Sequence, residues 1–99
     1  MAKGYWIANV DVTNPEGYKD YLAANAEPLK QYGAKFHARG GAYEVVAGNG
    51  GTNRRHVVVE FESVAIAREC YFSEGYQAAA KIRDQHSVPN IIIIEGYLG

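Results

Sequence analysis

One carboxylate in an apolar segment is the side chain of this sequence best suited to proton transfer. Glu60 follows the apolar run Val57–Val59, whose residue types are typical of a strand. Neighbouring side chains of a strand point to opposite faces, so Glu60 lies on the face away from Val57 and Val59. A carboxylate in such a position is costly unless it is paired. We therefore expect Glu60 to act as a proton acceptor or to form half of an ion pair.

Two basic side chains are candidate partners of Glu60. Arg39 and His37 stand two positions apart in another predicted strand, so alternation places them on one face. In a functional interpretation, Arg39 or His37 orients an anionic or carbonyl group while Glu60 moves a proton. In a structural interpretation, Glu60 and Arg39 form an ion pair that fixes how two sheets dock. Both interpretations stay open, and the candidate catalytic residues are Glu60, Arg39 and His37.

Tyrosine is unusually frequent, with eight residues in a chain of 99. Most of them fall in or beside predicted helices. Because tyrosine has an apolar ring and a polar hydroxyl, a group of them between helices and sheet is suited to a flat ligand, and Arg83 to its acidic substituent. The alternative for any single tyrosine is the edge of the core or the rim of a dimer. The candidate ligand-binding residues are Asn9, Tyr18, Tyr21, Tyr71, Tyr76, Arg83 and Glu95.

Other classes of site have little support in the sequence. The three histidines lack metal-ligand spacing, and a single cysteine, Cys70, cannot build a zinc site. No serine lies in a Gly-x-Ser-x-Gly elbow. The formal charge of -1 gives no basic field to attract nucleic acid or an anionic membrane. We expect no metal, no cofactor, no nucleic-acid partner and no membrane partner.

Four strands are predicted from apolar patterns. Tyr5 and Asn9 share one face of the first, and paired glycines at 40 and 41 bend or bulge the second. A glycine-rich segment after the second strand predicts a hairpin connection at residues 48–53. The strands are predicted at residues 5–12, 34–46, 55–62 and the isoleucine run 91–94.

Two helical regions separate these strands. Asn14 before a proline predicts the first helix start, and Ser63 and Ser73 predict a second region in two parts. Pro28 is expected to interrupt or kink the first helix, and Pro89 to close the second region. The resulting order, β-α-β-β-α-β, predicts a ferredoxin-like α+β fold with a four-stranded antiparallel sheet.

The isoleucine run predicts an assembly. Residues 91–94 place two isoleucines on each face of the last strand, so both faces need cover. Right-handed crossovers put both helical regions on one face and leave the other bare. We therefore expect a homodimer that packs two helix-free sheet faces together.

The length of the chain predicts one domain, residues 1–99. No segment has the pattern of a signal peptide or the length of a membrane span. We expect a soluble cytoplasmic protein, and the lone Cys70 is consistent with a reducing compartment.

Several motifs together resemble one known family. They are the Gly-Tyr-Trp-Ile opening, Asp-Val-Thr-Asn-Pro-Glu-Gly-Tyr, Arg39-Gly40-Gly41, Glu60-Phe61, Tyr71-Phe72-Ser73-Glu74-Gly75-Tyr76-Gln77 and the Ile-Glu-Gly-Tyr ending. The chain is similar to an uncharacterised bacterial family, a domain of unknown function in the dimeric α+β barrel superfamily. The resemblance implies the fold and the dimer, and it supplies no catalytic residue.

Relatives in that superfamily include cofactor-independent monooxygenases, muconolactone-type isomerases, haem-degrading enzymes and stress-response proteins, so the fold alone fixes no reaction. Two functions follow as hypotheses. One is an enzyme without a cofactor that acts on a small aromatic or enolisable molecule, in the manner of a monooxygenase or an isomerase. The other is a non-catalytic dimeric module that binds a ligand or responds to stress.

Overall fold

A computed structural model of the chain describes residues 2–48 and 54–99. Its element order confirms the predicted succession of strands and helices, with the second helical region divided in two. Most of the connection predicted at residues 48–53 lies outside the described residues. The elements are β1 (Gly4–Val12), α1 (Pro15–Gln31), β2 (Lys35–Arg39), β3 (Arg54–Phe61), α2 (Val64–Tyr71), α3 (Glu74–His86) and β4 (Ser87–Glu95).

The four strands form one antiparallel sheet in the order β2-β3-β1-β4. Trp6 of β1 lies opposite Val59 of β3 and Ile93 of β4. The face that carries Trp6 and Val59 packs against residues of all three helices in a single core. This arrangement confirms the ferredoxin-like α+β fold.

Side-chain caps start the three helices. Asn14 accepts a hydrogen bond from the backbone N–H of Gly17 at 3.4 Å, which satisfies one free donor at the start of α1. Ser63 and Ser73 do the same for α2 and α3, each at 3.2 Å. The caps predicted from the sequence are therefore confirmed.

One proline and one strand differ from the prediction, and of the two outcomes predicted for Pro28 the interruption does not occur. Pro28 lies inside α1 without ending it. Pro89 does not close a helix but lies within β4, where a missing N–H is tolerated because β4 is an edge strand. β2 ends at Arg39 instead of residue 46, because Gly40 adopts a φ of +68° and turns the chain.

The isoleucine run divides as the alternation requires. Ile91 and Ile93 pack against the core under the helices, whereas Ile92 and Ile94 are 56% and 48% exposed on the other face. Ile7 of β1 pairs with Ile92 and is also exposed. One face of the sheet therefore has a helical cover, and a single chain leaves an apolar stripe on the other.

Among the residues described, no helix has the length and hydropathy that crossing a membrane requires.

Candidate functional site

A cavity of about 40 Å³ lies between the helices and the covered face of the sheet. At about 10–15 Å³ for each water molecule, it holds roughly three, so an organic ligand enters only when side chains of the lining move apart. Apolar side chains such as Trp6, Val57 and Leu22 form much of its wall. The polar residues of its lining are Tyr18, Tyr21, Asn25, Arg39, Arg55, Tyr76 and Arg83.

Tyr21, Tyr76 and Arg83 form a buried hydrogen-bond chain along one wall. Arg83 donates from Nη1 to the Tyr76 hydroxyl at 3.2 Å, and the Tyr76 and Tyr21 hydroxyl oxygens are 2.6 Å apart. α3 supplies Tyr76 and Arg83 seven residues, about two turns, apart, and α1 supplies Tyr21. Arg83 also donates to the Tyr71 hydroxyl and to Asp84.

Burial sets the protonation states in this chain. Removal from water raises the pKa of Tyr76 well above its usual value, and the neighbouring Tyr21 raises it further, so Tyr76 stays a neutral hydroxyl at physiological pH. Burial acts against the charge of Arg83, yet the bonds to Asp84 and the tyrosines leave its pKa raised. The Arg83 cation therefore polarises the neutral Tyr76 hydroxyl, which contacts that of Tyr21.

Tyr18 lies in α1 one turn before Leu22, and its ring contacts that of Tyr21, with 5.2 Å between centroids. Burial raises the pKa of Tyr18 to about 12. Arg55 and Arg83 both oppose this rise, which places the Tyr18 hydroxyl within the field of both cations.

Arg55 reaches the cavity from the covered face of β3. Its partner on β1 is Val10, which is buried under the helices. Its guanidinium packs directly against Gly40, at a position that a larger side chain would occupy. Arg39 on the adjacent strand stacks over the Phe36 ring at 4.2 Å and is the one exposed residue in the described lining. The mouth of the cavity is therefore on the Arg39 side.

Glu60 and Arg39 lie on opposite faces of the sheet, so the ion pair of the structural interpretation does not form within a single chain. β2 pairs Phe36 with Val59 but Ala38 with Val58, so a bulge at His37 reverses the alternation of later residues. Arg39 turns to the helix-covered face as a result. His37 remains on the helix-free face, where its Nε2 lies 2.9 Å from Oε1 of Glu60. His37 and Arg39 therefore do not share a face.

Other candidates also lie away from the cavity. Asn9 is on the helix-free face, where its Oδ1 accepts a bond from Nη1 of Arg54 at 3.1 Å. Glu95 is exposed at the end of β4. Tyr71 does not line the cavity, but it contacts the residues of the wall through its bond with Arg83 and its ring contact with Tyr76. The cavity thus brings together Tyr18, Tyr21, Tyr76, Arg83 and Arg39, and it separates them from Glu60, His37, Asn9 and Glu95.

The sequence-based selection missed Asn25 and Arg55. Both line the cavity, and each has a buried polar atom, Oδ1 and Nε respectively, without a hydrogen-bond partner in the described structure. The alternation that places Val57 and Val59 under the helices extends backward to Arg55, so the strand pattern contained this signal. Asn25 lies four residues after Tyr21 on α1, which places both on one helix face.

Within residues 2–48 and 54–99, no group of three or more His, Cys, Asp and Glu side chains is placed to hold a metal ion. Burial raises the pKa of the Cys70 thiol to about 12, so this cysteine is a packing residue in the core.

Comparison with protein families gives one match. The model of the family described as domain of unknown function DUF1330 matches residues 3–97. No functionally curated protein matches the chain.

Several solved structures share the fold. A protein of unknown function from Rhodopseudomonas palustris superposes with a TM-score of 0.77 at 20% identity, covering 99% of this chain and 85% of that chain. SnoaB, a cofactor-independent oxygenase from Streptomyces nogalater, gives 0.70 at 10% identity over 100% and 97% of the two chains. An uncharacterized NIPSNAP domain protein from Burkholderia xenovorans gives 0.63 at 13% identity over 96% and 95%. At these identities the similarity concerns the fold.

Proposed function

The chain belongs to the DUF1330 family, whose description assigns no function, and from that premise we propose that it binds a small acidic aromatic or enolisable molecule in the cavity and stabilises its anion. The observation that carries this proposal is the chain Arg83–Tyr76–Tyr21. Because Arg83 donates to the Tyr76 oxygen, the Tyr76 hydrogen is available to the Tyr21 oxygen. The Tyr21 hydrogen is then free to donate into the cavity.

A preformed donor of this kind stabilises negative charge on a phenolate or enolate oxygen. The site is largely shielded from water. Hydrogen-bond donors in such a site act more strongly than they do in solution. The polarising cation is fixed by Asp84 and Tyr71, so it does not need to reorganise when the charge develops. The geometry therefore favours ligands that ionise at an oxygen atom.

The described lining contains no carboxylate and no imidazole. The ligand must therefore be acidic enough to lose its proton to water when its anion is stabilised. An anion of this type can reduce O₂ directly: a CH₂ group becomes a carbonyl, and the second oxygen atom leaves as water. It can also take back a proton at another carbon, which is an isomerisation. SnoaB, a cofactor-independent oxygenase of the same fold, supports the first reaction class.

A second copy of the chain completes the assembly in this proposal. Ile7, Ile92 and Ile94 form an exposed stripe across β1 and β4 on the helix-free face. Burying an isoleucine side chain contributes roughly 1.5–3 kcal/mol, which favours pairing two such faces around a twofold axis. The result is a homodimer with one cavity in each protomer.

The alternative is a non-catalytic module that binds the same kind of ligand. It is favoured by the lack of a general base in the described lining. Oxygen consumption with a panel of enolisable aromatic ketones that carry a CH₂ group, such as tetralones, distinguishes the two functions, because a binding module consumes none.

The proposal is tested with 4-nitrophenol, whose absorption spectrum distinguishes the phenol from the phenolate. We expect the wild-type protein to bind it and to lower its pKa. Tyr21→Phe removes the donor and should abolish the pKa shift, whereas Tyr97→Phe on the exposed tail should preserve it. Binding without any pKa shift, or a full shift in Tyr21→Phe, would contradict the proposal.

A further inference from the structure

Two guanidinium groups in the cavity lining have no acidic partner. Arg83 is bonded to Asp84, but no ion pair or hydrogen bond joins the side chains of Arg39 and Arg55 to other described residues. Arg39 is exposed at the mouth, but Arg55 is partly buried, and a charged group that is withdrawn from water is normally paired. An excess of positive charge in a small cavity points to an anionic ligand.

Two polar atoms reinforce this conclusion. Nε of Arg55 is buried without an acceptor, and Oδ1 of Asn25 is buried without a donor. Asn25 is only 5% exposed, and both residues line the same cavity. Leaving such atoms unsatisfied is unfavourable, so their partners are expected on a molecule that enters the cavity. Arg55 requires an oxygen acceptor, and Asn25 requires a hydroxyl of the ligand or a water molecule held beside it.

The position of Arg55 separates it from the Tyr21 hydroxyl chain. Arg55 pairs with Val10 of β1, whereas Tyr76 packs its ring against Trp6, at 4.9 Å between centroids. Val10 and Trp6 are four residues apart, which is about 13 Å along a strand. Tyr18 lies in the field of both Arg55 and Arg83 and so links the two regions. The cavity therefore has two polar ends with an apolar wall between them.

We infer that the ligand carries a carboxylate, bound by the Arg55 guanidinium at the Val10 end, in addition to the ionisable oxygen that faces Tyr21. This inference rests on the proposed function and adds a second recognition point to it. A guanidinium presents parallel N–H donors that match the two oxygens of a carboxylate. The apolar wall favours an organic acid with a flat body over a free inorganic anion. Arg39, at the mouth, adds a second positive charge on the entry side.

The test compares 4-hydroxybenzoate with its methyl ester, two probes that differ in the charge at one end. Affinities are measured by isothermal titration calorimetry on the full chain. We expect the wild type to bind the acid at least about tenfold more tightly than the ester. Arg55→Gln should abolish that preference.

Arg54→Gln is the matched control. Arg54 is the preceding residue and has the same charge, but it lies on the helix-free face and donates to Asn9. It should keep the full preference for the acid. The Arg55→Gln substitution removes an unpaired charge. Without ligand, the thermal stability of this variant should therefore equal or exceed that of the wild type.

Equal affinity of the wild type for acid and ester would overturn the inference, as would a preference that survives in Arg55→Gln. If Arg54→Gln and Arg55→Gln lost the preference for the acid equally, the cause would be a general effect of charge. That result would also overturn the inference. These results leave the proposed function intact if 4-nitrophenol is still ionised in a Tyr21-dependent manner. If neither benzoate binds and 4-nitrophenol is unshifted, both proposals fail.

Discussion

His37 and Glu60 are joined across β2 and β3 on the sheet face that no helix covers, with 2.9 Å between Nε2 and Oε1. The Tyr5 hydroxyl approaches the same carboxylate oxygen at 3.5 Å. This cluster borders the apolar stripe of Ile7, Ile92 and Ile94, and it lies on the opposite side of the sheet from the cavity. Glu60 therefore lies on the helix-free face, away from the cavity.

The first prediction concerns the pH dependence of stability. The hydrogen bond from His37 lowers the pKa of Glu60 below its usual value. A carboxyl group with a lowered pKa in the folded state stabilises the protein fully above its unfolded pKa, about 4.3, and loses that contribution as the pH falls further. The difference in melting temperature between wild type and Glu60→Gln should therefore shrink below about pH 4.3. A difference in melting temperature that stays constant from pH 7 to pH 3 would contradict this expectation.

The second prediction concerns the proposed homodimer. Ile92→Glu places a charge in the exposed stripe and should convert the dimer to a monomer, because the pairing of two faces would bury two unpaired carboxylates. Leu98→Glu introduces the same charge on the exposed tail and should leave the dimer intact. Sedimentation velocity at micromolar concentration measures both. A wild-type monomer, or a dimeric Ile92→Glu variant, would contradict the proposed interface.

The third prediction concerns the effect of Asn25 on the stability of the chain. Its Oδ1 is buried without a partner, so Asn25→Leu should stabilise the chain by about 1 kcal/mol. For a domain of this size the melting temperature should rise by roughly 4–8 °C. Asn14→Ala, which removes a helix cap, should instead lower the stability by about 1 kcal/mol. A destabilised Asn25→Leu variant would show that the Asn25 amide has a structural role.

The fourth prediction tests how Arg55 is positioned. Gly40 has a φ of +68°, and a methyl group there would collide with the Arg55 guanidinium. Gly40→Ala should cost about 1–2 kcal/mol of stability and weaken the binding of 4-hydroxybenzoate. Gly41→Ala, whose added carbon meets open space, is the control. Similar binding by both variants, measured by calorimetry, would argue against this role of Gly40.

Local chemistry explains why much of the fold was predictable from the sequence. The caps at Asn14, Ser63 and Ser73 act within one helical turn, so the sequence contains them in full. The isoleucine run predicted which side chains lie on each face of β4, because side chains alternate strictly in a strand without a bulge.

The site was less predictable because it depends on a non-local feature. The bulge at His37 moves Arg39 to the other face of the sheet, and its position is set by the pairing of β2 with β3. The paired glycines predicted the bend at the end of β2, but the bulge lies three residues before Gly40. The partnerless atoms of Asn25 and Arg55 are visible only when helix and sheet are packed together.

The most direct test of the central claim is a crystal structure of the protein with 4-hydroxybenzoate. We predict that the ring lies between α1 and the covered face of the sheet, with its phenolic oxygen within hydrogen-bond distance of the Tyr21 hydroxyl. Its carboxylate should contact Nε of Arg55. A ligand bound beside Glu60 on the helix-free face, or a cavity that stays empty at saturating ligand, would contradict the account.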